Sequence, residues 1–388
     1  MTAQTLHNRH SVDHVDLAPL NPPDRDPLAF HRRWPGYAET PLCDLPEVAA
    51  VLGVGRVYAK VETERLGLPS YKVLGASWAI YRTIIDELGV HVGSWRTIDE
   101  LRTALADFRD LSLVAATDGN HGRAVARVAR LLGWKAHILV PTGTAQARLD
   151  GILEEGASLE VTRGSYDDAV TAAAAFGSPQ ALVISDTAWP GYVDVPSRII
   201  EGYSTLFWEV DDAIERNALP IVTHAVAQIG VGSLAAALVR RYRTGIDDTV
   251  VRLIGVEPID ADCALESIAA GKTIEVPGPH RSIMAGLNCG LPSPLALPLL
   301  TQGLDALVAV DDEWAKRAMR LLAAGGVVAG ESGAAGVAGL LALRGSEQHR
   351  SLCDALQLDQ NSVLLTVITE GATDPTSYRA IVPDPATP

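Results

Sequence analysis

Four short stretches of this chain carry residue types suited to chemistry. In Pro69-Ser70-Tyr71-Lys72-Val73-Leu74-Gly75-Ala76-Ser77, Lys72 stands at the head of a helix-like run of small residues. A lysine in that place can attack an aldehyde if packing and nearby positive charge lower its pKa and free the amine. In Thr117-Asp118-Gly119-Asn120-His121-Gly122, an apolar strand gives way to a helix. The glycines allow a sharp turn, and the exposed N–H groups and helix dipole suit an anion such as a carboxylate. Gly230-Val231-Gly232-Ser233 is a second glycine-rich junction between strand and helix, with Ser233 at the helix start. It reads as a backbone cradle for phosphate. Asp186 ends a further strand, ahead of the loop Trp189-Pro190-Gly191-Tyr192. With Asp118 it supplies two carboxylates around one substrate, a pair suited to taking a proton from Cα and protonating an amine leaving group. Two weaker junctions follow, Glu331-Ser332 in a Gly-rich turn and Thr369-Glu370-Gly371 at the end of the last apolar strand. Taken singly, each stretch also fits an ordinary turn or cap. Gly230, Gly232 and Ala235, with Glu257 closing the next strand, also match a dinucleotide fingerprint. That alternative makes the chain a nicotinamide-dependent oxidoreductase, and it leaves Lys72 and the 117–122 stretch without a task.

These stretches need elements to hold them. The runs 112–117, 135–141, 158–163 and 181–186 are short, apolar and β-rich, and helical periodicity fills the intervals. Residues 122–132 place Arg123, Arg127 and Arg130 on one face and mostly Val125, Val128, Leu131 and Leu132 on another. The alternation resumes with strands at 221–228, 250–258, 306–310 and 362–369, and with helices at 197–210, 233–242, from Asp260, from about 312 and from Gly333. Alternating strands and helices predict an α/β fold with parallel sheets and right-handed crossovers. Ligands of such sheets sit at the carboxyl ends of the strands, where three of the four stretches fall. Residues 270–294 are irregular and Gly/Pro-rich, the style of an active-site loop. Residues 1–27 read as a mobile arm, or one ordered only against a partner subunit, and 376–388 as a short tail.

Composition narrows the function classes. The 388 residues carry 32 Lys+Arg against 47 Asp+Glu, a net charge of −15. Such a surface repels phosphate backbones and anionic lipid, which argues against nucleic acid and membrane surfaces. A bound phosphate must then be gripped by local backbone, not by a basic patch. Cys43, Cys263, Cys289 and Cys353 form no CxxC pair and no disulfide scaffold, so no metal site is expected. No apolar run reaches the ~18–20 residues of a membrane span. The expectation is a cytoplasmic enzyme.

Together the motifs resemble the fold-type II enzymes that use pyridoxal 5′-phosphate, the tryptophan synthase β-like superfamily. Within it they are most similar to the diaminopropionate ammonia-lyase family. HRRWPGYAETPL (31–42), TDGNHG, SDTAWPGY, MAGLNCG (284–290), GESGA and TEGATD occur in the expected order, from about Phe30 to Asp374. The resemblance implies two three-layer α/β domains with the cofactor between them: 28–78 with 186–388 as the large domain, and 79–185 as the small one. It implies that Lys72 bears the cofactor and acts as base at Cα. Asn120 would bond the cofactor's 3′-oxygen, Gly230, Val231, Gly232 and Ser233 its phosphate, and Thr369 its pyridine nitrogen. Asp118 and Asp186 would be the acidic pair, and Thr117, Gly119, His121 and Tyr192 would surround the substrate. The implied reaction is α,β-elimination of 2,3-diaminopropionate, D or L, to pyruvate and two ammonia, in a homodimer. Here Pro69-Ser70-Tyr71 replaces the family's Asn-Ala-Phe. That departure leaves room for serine or threonine dehydration, or for β-replacement on another β-substituted amino acid. Tyr71 either adds a hydroxyl beside the cofactor or fills the core. Cys263 and Cys289 also match family cysteines, as two thiols near the entrance.

Overall fold

The computed structural model describes residues 1–86, 89, 91–244 and 250–383. Its strands are β1 (Ala3–His7), β2 (Leu42–Asp44), β3 (Arg56–Val61), β4 (Ser112–Ala116), β5 (Lys135–Pro141), β6 (Ser158–Thr162), β7 (Ala181–Val183), β8 (His224–Gln228), β9 (Arg252–Pro258), β10 (Ala306–Val310) and β11 (Val363–Ile368). They form a seven-stranded sheet of order β1-β10-β9-β8-β11-β3-β2 and a four-stranded sheet of order β6-β5-β4-β7. The four-stranded sheet is parallel throughout. In the larger sheet β10, β9, β8, β11 and β3 are parallel, and only the edge strands β1 and β2 run antiparallel.

Local sequence accounts for these elements. Every residue of β8 and of β10 is buried, as expected of parallel strands covered on both faces, which read as continuous apolar runs. The helix Asn120–Leu132 buries Ala124, Val125, Val128, Ala129 and Leu132, and Gly133 closes it in the left-handed conformation. The helix Lys72–Asp86 packs on the helix Asp194–Arg216 through a tight crossing. A Cβ on Gly202 would lie 2.5 Å from the Leu74 carbonyl oxygen, so only glycine allows this approach. That crossing sets where Lys72 begins.

The structure corrects several expectations. The amino-terminal segment is not a free arm. β1 pairs with β10 of its own chain, in register from Ala3 with Val310 to His7 with Ala306, and Val15, Leu17 and Leu20 are buried. Backbone hydrogen bonds carry this pairing, so the polar composition did not announce it. The carboxyl-terminal segment forms the helix Pro375–Ile381, capped by Asp374; residues 384–388 lie outside the described residues. Residues 79–185 contain the four-stranded sheet, but the expected boundary at 78 and 79 falls inside the continuous helix Lys72–Asp86. One apolar core runs from Val73 and Ile80 through Val125 and Ile138 to Leu253, joining the two sheets. Among the described residues, no helix is long and apolar enough to cross a membrane.

Candidate active site

The carboxyl ends of β4, β7, β8 and β11 converge with the start of the helix Lys72–Asp86 on one cavity. Lys72, Asp118, Asn120, His121, Asp186, Gly230, Val231, Gly232, Ser233 and Thr369 all line it. The irregular segment contributes Ala285, Gly286, Leu287, Asn288 and Cys289.

Lys72 Nζ donates to Asp186 Oδ2 at 2.6 Å. Tyr166 Oη donates to Asp186 Oδ1 at 2.9 Å, and Ser233 Oγ donates to the Asp186 backbone carbonyl at 2.6 Å. Burial raises the Asp186 carboxyl, but the Lys72 ammonium, followed by His121, outweighs it and holds Asp186 below the usual carboxylate range. Burial lowers the Lys72 amine, yet Asp186 outweighs that in turn and leaves Lys72 well above its ordinary value. This reverses the sequence expectation of a depressed lysine. The reason is the carboxylate in direct contact, where a cation was anticipated.

Asp118 shifts the other way. Burial pushes its carboxyl up, opposed by Arg148 and Lys72 and reinforced by Glu370. Arg148 Nη1 donates to Asp118 Oδ2 at 2.9 Å. The two aspartates thus differ, Asp186 held charged and Asp118 drawn toward its protonated form. Environments that separate a pair of titratable groups in this way divide base from acid.

The remaining wall is polar and directional. His121 Nε2 donates to the Ile184 carbonyl at 2.7 Å, and its buried Nδ1 has no partner. Burial lowers the pKa of this ring. The neutral imidazole therefore offers a lone pair at Nδ1, which suits an ammonium better than a carboxylate. Gln228 Nε2 donates to Thr369 Oγ1 at 2.7 Å, so the Thr369 hydroxyl keeps its own hydrogen for another acceptor. Gly232 takes φ 103°, where a Cβ would meet Ala296 Cβ at 3.0 Å. The helix Ser233–Tyr242 has no side-chain cap, which leaves its first N–H groups for an anion. A backbone anion cradle, a lysine and a hydroxyl donor on one wall fit a phosphorylated aldehyde with a ring nitrogen.

Three predicted substrate residues are placed otherwise. Thr117 is fully buried and its Oγ1 accepts from Gly119 N–H at 2.9 Å, so both stand behind the cavity wall. Tyr192 is not on this wall. Its hydroxyl donates to the Val183 carbonyl at 2.6 Å and accepts from Ser185 N–H at 3.0 Å, and its ring stacks on Trp189 at 3.9 Å. It clamps the loop after β7. Glu257 accepts from Ala264 N–H at 2.9 Å and Leu265 N–H at 2.8 Å, which removes it from the ribose role of a dinucleotide site. Tyr71 packs on Tyr203 with ring centroids 4.7 Å apart and shows one edge to the cavity, so it is both core and wall. Cys263 and Cys289 are free thiols, pushed up first by burial. Arg148, Tyr166, Gln228 and Glu370 were not anticipated as site residues. Only Glu370 carried a signal, its place beside Thr369.

Residues 33–353 match the family model described as pyridoxal-phosphate dependent enzyme. The diaminopropionate ammonia-lyase of Salmonella typhimurium (strain LT2) is 35% identical over 368 residues, covering 92% of this chain and 90% of that one. The diaminopropionate ammonia-lyase of Escherichia coli (strain K12) is 36% identical over 361 residues, covering 91% and 89%. The crystal structure of the Escherichia coli diaminopropionate ammonia-lyase in complex with D-serine aligns with a TM-score of 0.89 and 32% identity over 98% of this chain and 97% of that one. The same enzyme in complex with an aminoacrylate-PLP azomethine reaction intermediate aligns with a TM-score of 0.87.

Proposed function

Since the chain belongs to the fold-type II pyridoxal-phosphate-dependent enzymes, in the diaminopropionate ammonia-lyase family, we propose that it eliminates ammonia from 2,3-diaminopropionate, D or L. The products are pyruvate and two ammonia, with one water consumed. The observation that carries this reading is the contact of Lys72 with Asp186 at 2.6 Å in a cavity that Asp118, shifted the opposite way, also lines.

Lys72 would hold the cofactor covalently, Asn120 its 3′-oxygen, Gly230–Ser233 its phosphate, and Thr369 would donate to its ring nitrogen. When bound, pyridoxal phosphate delocalises the electron pair left at the substrate's Cα. The protein's own groups do the rest. The Lys72 amine, once free, would take the proton from the substrate's Cα. Asp186, fixed by Tyr166, holds the Lys72 amine in place and is the counter-ion of the ammonium that forms. Asp118, the carboxyl more readily protonated, gives a proton to the β-amine as it leaves. His121 Nδ1 accepts from a substrate ammonium. Cavity carboxylates outnumber cations, in keeping with a cationic diamine.

The place of Tyr71 on the wall, and the D-serine complex of the Escherichia coli relative, support a second reading in which a β-hydroxy amino acid is dehydrated. The family also supports a homodimer and a cytoplasmic location. The test supplies D- and L-diaminopropionate, serine and threonine to the pyridoxal-phosphate-loaded protein and follows pyruvate and ammonia. Two ammonia per pyruvate from diaminopropionate is expected, and Lys72→Ala is expected to abolish turnover and the yellow colour. Serine turnover with none of diaminopropionate would establish the second reading instead.

A further inference from the structure

The elimination chemistry leaves Glu370 without a task, although it is 1% exposed and its side chain lines the cavity. Its backbone is pinned on two sides. Gly330 N–H donates to its carbonyl at 3.0 Å, and Ser70, two residues before Lys72, pairs with it in a β-bridge. A Cβ on Gly330 would lie 2.3 Å from the Gly371 carbonyl oxygen and 3.2 Å from Glu370 Cγ, so the Gly-rich turn at 330 packs closely against this strand end and its side chain. The carboxylate then reaches across to the four-stranded unit. Oε2 accepts from Asn120 Nδ2, Oε1 accepts from Ser332 N–H at 3.2 Å, and Arg148 Nη2 lies 3.7 Å away.

We propose that Glu370 is a positioning residue that sets the amide of Asn120 for the cofactor's 3′-oxygen and shares Arg148 with Asp118. An asparagine amide has a donor end and an acceptor end, and a carboxylate can only accept. Glu370 therefore dictates that Nδ2 faces it, and the second Nδ2 hydrogen is left for the 3′-oxygen. A glutamine of the same size cannot do this. Its one acceptor oxygen cannot serve Asn120 and Ser332 together, and its amide group would set a donor against a donor. The inference rests on the assignment of Asn120 to the 3′-oxygen, and the test separates the two.

The experiment titrates the apo forms of the parent, Glu370→Gln, Asn120→Ala and the double variant with pyridoxal phosphate, and records the visible absorption maximum of each loaded form. Thermal unfolding of the apo forms accompanies it. Glu370→Gln is expected to weaken cofactor binding ~10-fold, the scale of one hydrogen bond to a charged group, and to shift the absorption maximum. Asn120→Ala is expected to do the same, with the double variant no worse than Asn120→Ala alone. Glu370→Asp, which keeps the charge, is expected to retain the parental maximum, which also serves if the glutamine variant does not fold. An unchanged Glu370→Gln beside a changed Asn120→Ala overturns this proposal alone, as do multiplying effects in the double variant. An unchanged Asn120→Ala overturns the Asn120 assignment and this proposal with it.

Discussion

Two clusters of buried charge lie in this molecule, similar in their ions and opposite in their design. In the first, Arg65 donates to Glu62 at 2.8 and 2.7 Å and to Glu209 at 2.8 and 2.7 Å, while Lys60 donates to Glu209 at 2.6 Å. Tyr37 adds a bond to Glu209 at 2.8 Å. Two cations meet two carboxylates, and none of their polar atoms is left without a partner. Burial raises Glu209, but Arg65 and Lys60 bring it down to about 2. In the second cluster Asp186, Asp118 and Glu370 share Lys72 and Arg148, and His121 Nδ1 and Gln228 Oε1 are buried beside them without partners. The difference teaches that burial and ion pairing do not mark a site. A cluster whose every lone pair is engaged holds the chain together, whereas one that is short of partners on the side facing a cavity is set for a ligand.

The contrast can be broken by experiment. The largest effect is expected from Asp186→Asn, which removes the charge paired with Lys72. It should lower kcat by roughly 10²–10⁴-fold, the range for a lost acid–base group, with little change in unfolding. Asp118→Asn should also lose activity, but unequally toward the D and L substrates. Equal and small losses in steady-state assays of both variants would erase the division of roles. Next in size is Arg65→Met, which strands the buried Glu62 carboxylate. Glu62 loses its cation while Glu209 keeps Lys60, so the variant should cost about 3–5 kcal/mol of stability in denaturant titrations, while the folded fraction keeps the parental kcat. A loss of kcat as large as that of Asp186→Asn would show that the closed cluster also serves catalysis.

The smallest effect sharpens the contrast with a carboxylate that has no cation at all. Burial pushes Glu257 up to about 8, against the N–H groups of Ala264 and Leu265. A folded-state value raised above the unfolded one means that this group's contribution is whole below about pH 4.3. It is lost as pH rises toward about 8. Glu257→Gln cannot lose a proton, so its melting temperature relative to the parent should rise between about pH 5 and 8.5. A constant difference across that range would contradict a protonated Glu257.

Strand tips made most of the site legible. Parallel strands deliver their carboxyl ends to one side, so Asp118 had to fall beside Asp186 on one sheet and Gly230 beside Thr369 on the other once the alternation was read. What stayed hidden arises where the helices of the four-stranded unit fold back over its own strand ends. Arg148 and Tyr166 sit in the ordinary helical runs Gln146–Leu153 and Tyr166–Ala174, and only the tertiary approach turns them onto Asp118 and Asp186. Tyr192 misled for the converse reason, because an aromatic loop beside a catalytic strand looks alike whether its hydroxyl faces a ligand or the backbone. β1 escaped notice because edge pairing asks little of side chains.

The helix Lys72–Asp86 starts in the cavity and buries Trp78, Ile80 and Ile84 in the core that the two sheets share. The four-stranded unit is therefore no exchangeable cassette. A cut at residue 79 would sever a helix and strip large apolar side chains from their neighbours, and a graft of residues 79–185 onto another scaffold would arrive without half of its own floor. The two halves therefore stand or fall as one folding unit.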